Sequence, residues 1–336
     1  MAIFLNILFL IVGMILLIKG ADYFVSGASA VAKKMKIPSM FIGLTIVAIG
    51  TSLPELSVSI TSAIKNDIDL SISNVIGSNM CNTFLILGIV GILSKIKLES
   101  STKKIDFPFL LAITSILLLF SLDTFIDGAS NNIVSRTDSI ILVIMLILYF
   151  SILILNARKE RKQSLINSFE IQNLDTNDES QENNLKFWQI LLYIIFGLAA
   201  VIFGGECVSS TAKFLAIQAG MSDTLVGLTV VAVGTSLPEL VTSVVAAKKG
   251  ENDLALGNVI GSSVINIALI LGLVGSISQI TVSPNTLMDL IILFSTTIFF
   301  AVLCAKKQSI GKPESFVLLF IYISYITFAI IRNYCF

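Results

Sequence analysis

The chain has 336 residues, of which 55% are hydrophobic and only 13% charged, and its 22 basic residues balance its 22 acidic ones. Soluble domains carry about 25% charged residues, so this composition predicts a polytopic membrane protein, and the absence of net charge gives no indication of nucleic-acid binding. The chain has no histidine, and its four cysteines lack the spacing of a metal site or a disulfide framework.

Ten apolar stretches, most of them close to the 20 or so residues that cross a membrane as a helix, predict ten transmembrane helices. No basic residue precedes the first stretch and no small-residue cleavage site follows it, so we expect it to be retained rather than removed as a signal peptide. The stretches lie near residues 3–21, 40–64, 70–93, 106–122, 138–156, 187–206, 224–247, 253–277, 284–304 and 313–332.

The tract between the fifth and sixth stretches is polar, running from Arg158 to Lys186 and rich in Asn, Gln, Asp and Glu. It has too few apolar residues to form a core, so we predict a flexible linker over residues 157–186. The linker separates two halves of five helices each, residues 1–156 and residues 187–336.

The distribution of lysine and arginine predicts the orientation of the chain. If the N-terminus lies outside, about 18 of the 22 basic residues fall in inside segments and about four in outside segments. This bias predicts that both termini are extracellular and that the linker is cytoplasmic. The absence of a recognisable targeting peptide favours the cell membrane as the location.

The two halves contain the same motif. Residues 43–88 and 227–272 align without a gap, with about 27 of 46 positions identical. Because each half has an odd number of helices, the second copy enters the membrane in the opposite direction to the first. The predicted fold is therefore an all-α membrane protein of two inverted-topology five-helix repeats, an architecture typical of transporters.

Each copy of the repeat places a glutamate after a proline in an otherwise apolar stretch, as Pro54-Glu55 and Pro238-Glu239. A carboxylate at membrane depth costs at least a few kcal/mol, so its presence indicates a functional site. Two such carboxylates in duplicated surroundings predict one cation site built from two halves. A proline-kinked packing helix would explain one copy without the glutamate, but it does not explain a glutamate in both.

The residues before each glutamate supply further oxygen ligands. Ala48, Thr51, Ser52 and Glu55 are three or four residues apart, so they share one helix face. Pro54 has no N–H, and we expect the helix to open there and to free carbonyl oxygens. Carboxylate, hydroxyl and carbonyl oxygens suit hard cations such as Ca²⁺, and also Na⁺. The second repeat carries the same set at Ala232, Thr235, Ser236 and Glu239.

The third and eighth predicted helices each carry a polar stripe. The first stripe contains Ser78 and Asn82, and the second contains Ser262 and Asn266, with an asparagine one turn earlier in each helix. Such residues either complete the cation site or hold membrane helices together through hydrogen bonds. The sequence leaves both readings open.

These motifs resemble the cation/Ca²⁺ exchanger superfamily, and specifically its Na⁺/Ca²⁺ exchanger branch. The resemblance rests on Gly-Thr-Ser-Leu-Pro-Glu at residues 50–55 and 234–239, and on Asn-Val-Ile-Gly-Ser at residues 74–78 and 258–262. It extends over the whole ten-helix plan. Proton-coupled members of the superfamily carry a different motif, with Gly-Asn in place of Gly-Thr-Ser.

The resemblance implies a role for each predicted site residue. Glu55 and Glu239 would be the central carboxylates that bind Ca²⁺ and Na⁺ in turn. Asn82 would help at the central position. The remaining implied ligands are the hydroxyl groups of Ser52, Ser78, Ser236 and Ser262, the backbone carbonyls of Thr51 and Thr235, and the outer sodium-site residues Ala48 and Ala232.

Asn266 departs from the family pattern, since many members have an aspartate at this position. The amide is neutral but can still coordinate through its oxygen, so the pocket would hold two carboxylates rather than three. The family links an acidic residue in the second repeat to K⁺ use, and its absence here argues against K⁺ cotransport.

The resemblance implies a secondary antiporter that exchanges Na⁺ for Ca²⁺ by alternating access and electrogenically, with the first and sixth helices sliding past a fixed core. A Ca²⁺/H⁺ antiporter that protonates the two glutamates is the alternative, and a cation channel is disfavoured because channels usually line their pores with rings from several subunits.

No nucleophile–base set or cofactor motif indicates an enzyme. We expect the transported ions and membrane lipid as partners, with no cofactor and no obligate protein partner.

Overall fold

The protein is described here from a computed structural model, which covers residues 2–65, 68–126, 128–172, 186–221 and 232–335. The first half of this described part is helical apart from two short strands. Its helices are α1 (Ala2–Met35), α2 (Ser39–Thr51), α3 (Leu53–Ile64), α4 (Ile68–Leu93), α5 (Ser100–Lys104), α6 (Asp106–Phe120), α7 (Asp123–Ile126) and α8 (Arg136–Gln172).

The second half has a corresponding set of helices, again with two short strands between them. The N-terminal part of the predicted seventh helix, residues 224–231, lies outside the described residues. The helices are α9 (Phe187–Gln218), α10 (Ala232–Thr235), α11 (Leu237–Lys248), α12 (Asn252–Ile277), α13 (Pro284–Lys306) and α14 (Lys312–Cys335).

The helices identify a multi-pass membrane protein. In the described part, seven helices are long and apolar enough to cross a membrane, and the bent pair α2–α3 makes an eighth. The most apolar windows of α4 and α12 are each 78% buried, whereas those of the other five long helices are between 17% and 28% buried. Helices α4 and α12 therefore form the centre, and the others present apolar side chains outward, as lipid-facing helices do.

The fold is all-helical as predicted, apart from two short antiparallel ladders that join the halves. Strand β1 (Ile96–Lys97) pairs with β4 (Ser309–Ile310), and β2 (Asn132–Val134) pairs with β3 (Ile280–Val282). Strands of two or three residues are too short to show the alternating pattern by which strands are recognised in a sequence. Each ladder ties a connection of one half to a connection of the other.

Three predicted helix ends differ from the structure. Helices α1 and α9 run on to Met35 and Gln218, well beyond the predicted ends near residues 21 and 206, so Lys19 lies within α1 rather than in an inside loop. Helix α8 continues to Gln172, so the first part of the predicted linker is helical, while residues 173–185 lie outside the described residues. Hydropathy falls where a helix leaves the membrane, which need not be where the helix ends.

Helices α1 and α9 form a tightly packed antiparallel pair because glycines line their contact. A Cβ atom added at Gly20 would lie 2.9 Å from the Gly197 carbonyl oxygen, and one added at Gly204 would lie 2.8 Å from the Gly13 carbonyl oxygen. Small residues let membrane helices approach closely enough for their backbones to touch. A larger side chain at these positions would force the two helices apart.

Candidate cation site

The chain breaks its helix in front of each glutamate. Helices α2 and α3 meet at an angle of 45°, and Ser52 at the junction has φ −83° and ψ 5°. Ser236, between α10 and α11, has almost the same conformation, with φ −88° and ψ 8°. Pro54 and Pro238 lie in the first turns that follow, where a missing N–H costs nothing. The proline motif therefore breaks both helices, as the sequence predicts.

The break places each glutamate in the first turn of a new helix. Glu55 belongs to the first turn of α3 and Glu239 to the first turn of α11. The positive end of the helix dipole stabilises a negative charge at this position. Both side chains are fully buried, with no solvent-exposed surface.

Hydrogen bonds cross between the two halves at the glutamates. Ser52 Oγ donates to Glu239 Oε1 at 3.2 Å, and Ser236 Oγ donates to Glu55 Oε1 at 3.4 Å. The other carboxylate oxygen, Oε2, of both Glu55 and Glu239 is buried and has no hydrogen-bond partner among the described residues. The two carboxylates also lie close enough to repel each other electrostatically. Two buried, mutually repelling carboxylates are favourable only when a cation or proton compensates them.

Thr51 extends the contact between the halves. Its hydroxyl donates to Asn258 Oδ1 at 3.0 Å and lies 3.4 Å from Ser262 Oγ. Ser262 Oγ in turn lies 3.5 Å from the carbonyl oxygen of Ala48. Helix α2 can lie this close to α12 because residue 261 is a glycine. A Cβ atom added at Gly261 would lie only 2.7 Å from the Ala48 Cβ. Thr51, Ser262 and Ala48 are therefore brought together on one side of the glutamates.

The corresponding residues on the other side are only partly described. Ser78 faces the Glu55 carboxylate, but its buried hydroxyl does not meet hydrogen-bond geometry with any described group. Thr235 ends α10 and has a polar interaction. Ala232 begins that helix, and its side chain lies outside the described residues.

The two predicted asparagines lie in local π-helical turns of the central helices. Asn82 is in the turn Cys81–Ile86 of α4, and Asn266 is in the turn Asn266–Leu271 of α12. Such turns occur frequently at functional sites because they redirect side chains within a helix. The fully buried Asn82 has no hydrogen-bond partner for its amide oxygen or nitrogen among the described residues.

The amide nitrogen of Asn266 has a hydrogen-bond partner, whereas its amide oxygen does not among the described residues. Its Nδ2 donates to Asn79 Oδ1 at 3.2 Å, and Asn79 Nδ2 donates to the carbonyl oxygen of Ser263 at 3.2 Å. The Asn266 Oδ1 atom is buried without a partner in the described part. Asn79 therefore fixes the orientation of the Asn266 amide with its oxygen left for another ligand.

The sequence motif includes Asn258 but does not predict its contacts, and it does not identify Thr242. Asn258 donates from Nδ2 to Ser243 Oγ at 2.9 Å while its Oδ1 accepts from Thr51, so it bridges α11, α12 and the other half. Thr242, one turn after Glu239, is fully buried and its hydroxyl has no partner in the described part of the chain. The first repeat has Val58 at the position of Thr242, so comparison of the two repeats does not identify it.

The donor set of the site consists of oxygen atoms. It combines two carboxylates with hydroxyl and amide oxygens, several of which are buried without a hydrogen-bond partner among the described residues. Buried polar atoms are almost always paired, so a cluster of unpaired oxygens indicates that a cation completes the arrangement. Hard oxygen ligands in this number suit Ca²⁺ or Na⁺ rather than a soft transition metal.

A cavity reaches the site from one side. It has a volume of about 420 Å³ and lies between α3 and α9, where Ser57, Phe203 and Glu206 line its walls. Thr235 and Pro238 lie at the end of the cavity, beside the break that positions Glu239. The cavity therefore ends at the helix break in front of Glu239, which is itself fully buried.

Comparisons with known proteins agree on one family. The family model described as sodium/calcium exchanger protein matches residues 5–155 and 189–331. The chain is 34% identical to the sodium/calcium exchanger MaX1 of Methanosarcina acetivorans, over 96% of this chain and 97% of that protein. It is 31% identical to the inner membrane protein YrbG of Escherichia coli, over 89% of this chain and 88% of that protein.

A solved structure shows the same similarity in three dimensions. The sodium-calcium exchanger NCX_Mj, soaked with 2.5 mM Na⁺ and 0.1 mM Ca²⁺, superposes on the chain with a TM-score of 0.79. The sequences are 30% identical, and the superposition covers 96% of this chain and 98% of the solved one. The whole chain, and not only the repeated motif, therefore has the architecture of that protein.

Proposed function

The chain belongs to the sodium/calcium exchanger protein family, and on that premise we propose that Glu55 and Glu239 bind Ca²⁺ and Na⁺ alternately in one pocket of a Na⁺/Ca²⁺ antiporter. The observation that carries this assignment is the pair of crossed hydrogen bonds from Ser52 to Glu239 and from Ser236 to Glu55. Each bond holds one oxygen of a carboxylate from the opposite half and leaves the other oxygen for an ion.

Exclusion of one ion by the other is what makes exchange obligatory. Two carboxylates neutralise one Ca²⁺, and several Na⁺ ions spread over the same oxygens can replace it. In this proposal, Ser78, Ser262, Asn82 and Asn266 supply further oxygens around the glutamates, and Thr51, Thr235, Ala48 and Ala232 line the outer sodium positions. More sodium charge than calcium charge then moves in each cycle, so transport is electrogenic. The neutral Asn266 leaves the pocket with two carboxylates, which favours exchange without K⁺.

The proposed architecture is ten transmembrane helices in two inverted halves, residues 1–156 and 187–336, joined by the linker 157–186. Two further helices complete the ten that we propose. Helix α6 has 15 residues and is short for a span, and the seventh helix begins outside the described residues, so neither is among the eight spans given above. The two β ladders support the inverted relationship. The repeat offset of 184 residues relates β1 to β3, and these two equivalent strands lie in different ladders.

The proposed orientation has both termini outside and the linker inside, in a cell membrane. The basic residues of the β1–β4 end support it, since Lys97 and Lys307 lie in or beside that ladder, and the other ladder lacks such residues within its strands. We propose no catalytic role for any residue, no resident cofactor and no obligate protein partner. The substrates are the two ions.

The experiment that tests this function is ⁴⁵Ca²⁺ uptake into proteoliposomes loaded with Na⁺. We expect an outward Na⁺ gradient to drive uptake, and equal Na⁺ on both sides to abolish it. Glu55→Gln vesicles serve as the control for leakage. Uptake driven by a pH gradient at equal Na⁺ would instead identify Ca²⁺/H⁺ exchange and would contradict the proposal.

A further inference from the structure

A salt bridge joins α1 to the end of α11, and the sequence repeat gives it a counterpart on α9 and α3 that is not formed in the described part. Lys249 Nζ at the end of α11 lies 2.7 Å from Asp22 Oδ1 of α1. The same ammonium group donates to the Asp22 carbonyl oxygen at 2.8 Å and to Ser26 Oγ at 2.6 Å. These contacts fasten α1 to the core at the end of α11.

The repeat offset of 184 residues gives each member of this cluster a chemical equivalent. Asp22 corresponds to Glu206 and Ser26 to Ser210, both on α9, and Lys249 corresponds to Lys65 at the end of α3. The acidic, hydroxyl and basic side chains of the first cluster are thus all present at the equivalent positions of the second. A duplicated salt bridge is expected only if its second copy also has a role, because surface charges outside the repeated site are free to diverge.

The second cluster is open in the structure. Glu206 accepts a hydrogen bond from Ser210 Oγ at 3.1 Å on its own helix and forms no salt bridge in the described part. Lys65 is exposed and likewise forms no salt bridge with a described residue. The cavity that ends at Thr235 and Pro238 lies between α3 and α9, and Glu206 is part of its wall. The cavity is therefore present on the side of the molecule where Glu206 and Lys65 do not form a salt bridge.

Packing shows the same asymmetry. Helix α1 packs along α11, whereas its counterpart α9 makes only marginal contact with α3 in the described residues. Because glycines join α1 to α9 in close contact, we expect the two helices to move as one body. A movement that separated Asp22 from Lys249 would then carry Glu206 as well. If the inverted repeat relates the two clusters, the same movement would bring Glu206 towards Lys65.

We propose that Asp22–Lys249 and Glu206–Lys65 are two alternative latches, of which one is closed in each access state of the exchanger. This inference rests on the proposed function for its alternating states, but not on which ions are exchanged. The Asp22 latch stabilises the state in which the cavity between α3 and α9 is open. The Glu206 latch stabilises the opposite state.

The test measures access to the cavity rather than transport. A cysteine introduced at Ser57, in a chain whose native cysteines are replaced by serine, reports how fast an impermeant thiol reagent enters between α3 and α9. Asp22→Asn and Lys249→Gln should slow labelling about two- to fivefold, the range expected for a partly exposed ion pair. Glu206→Gln and Lys65→Gln should speed it by a similar factor.

Lys248→Gln is the matched control, because Lys248 is the exposed neighbour of Lys249 and forms no salt bridge with a described residue. The proposal is overturned if both sets of variants shift the labelling rate in the same direction, or if either set behaves like the control. A second measurement is disulfide formation between Lys65→Cys and Glu206→Cys. Its absence in all mixtures of Na⁺ and Ca²⁺ would also overturn the proposal, whereas a failure of Na⁺-driven uptake alone would not.

Discussion

Ser52 donates a hydrogen bond of 3.2 Å to Glu239, the carboxylate of the opposite half of the chain. Ser236 makes the equivalent contact with Glu55. Each half therefore orients the glutamate supplied by the other, and neither half alone contains the complete candidate site.

The crossed serines give the first prediction. Ser52→Ala and Ser236→Ala should each raise the Ca²⁺ concentration for half-maximal exchange by about 5- to 30-fold, because loss of a buried hydrogen bond and ligand costs roughly 1–2 kcal/mol. The measurement is Na⁺-driven ⁴⁵Ca²⁺ flux at varied Ca²⁺. Ser295→Ala is the control, since this exposed hydroxyl bonds only its own helix at the Ile291 carbonyl. Half-maximal concentrations equal to those of the control would remove the serines from the site.

The paired carboxylates give the second prediction. Glu55→Gln and Glu239→Gln should each abolish Ca²⁺ exchange, because a single carboxylate is left against a divalent ion. Glutamine has nearly the same shape and can still accept the serine hydrogen bond, so the fold should be retained, as checked by size-exclusion chromatography. Glu99→Gln, at an exposed position, should exchange normally. Near-normal exchange by both site variants would be incompatible with the assignment.

Much of this site could be predicted from the sequence, since the duplicated Pro-Glu motif and the helix geometry bring Ser52, Glu55 and their equivalents to one place. Contacts between distant residues could not be predicted. The bond from Asn266 to Asn79 and the bridge from Thr51 to Asn258 depend on how α2, α4 and α12 pack, and packing has no local signal. Thr242 has no counterpart in the first repeat, so only its burial identifies it.

The fold shows the same division between local and long-range signals. Hydropathy located the eight candidate spans of the described part because twenty apolar residues are a strong local signal. It missed the extension of α1 to Met35, because Lys19 and Asp22 interrupt the apolar stretch near residue 21 while the helix continues. The β1–β4 ladder pairs Ile96 with Ile310, and a contact between residues so far apart cannot be inferred from two-residue strands.

Asn266 gives the third prediction. Asn266→Asp should make exchange more dependent on pH between about pH 5.5 and 8.5, because a third carboxylate beside Glu55 and Glu239 favours binding of a proton. An ionised aspartate also cannot donate to Asn79 Oδ1, so some loss of stability is expected. The assay is Na⁺-driven Ca²⁺ flux across this pH range, with and without K⁺. Superimposable profiles for both proteins would place residue 266 outside the ion site.

Topology gives the fourth prediction. In a chain without its native cysteines, Asn131→Cys beside β2 should react with an impermeant thiol reagent added outside cells. Gln308→Cys beside β4 should react only after permeabilisation, because the basic residues gather at the β1–β4 end and should face the cytoplasm. Both positions are exposed, so accessibility alone does not distinguish them. The reverse labelling pattern would contradict the proposed orientation.

We propose that Ca²⁺ and Na⁺ compete for one pocket that contains Glu55 and Glu239. Equilibrium binding of ⁴⁵Ca²⁺ to the purified protein, titrated with Na⁺, tests this competition. We predict that bound Ca²⁺ falls to zero as Na⁺ rises, and more steeply than for displacement by a single ion, because several Na⁺ ions replace one Ca²⁺. Bound Ca²⁺ that persists at saturating Na⁺ would show that the two ions occupy separate sites and would contradict the account.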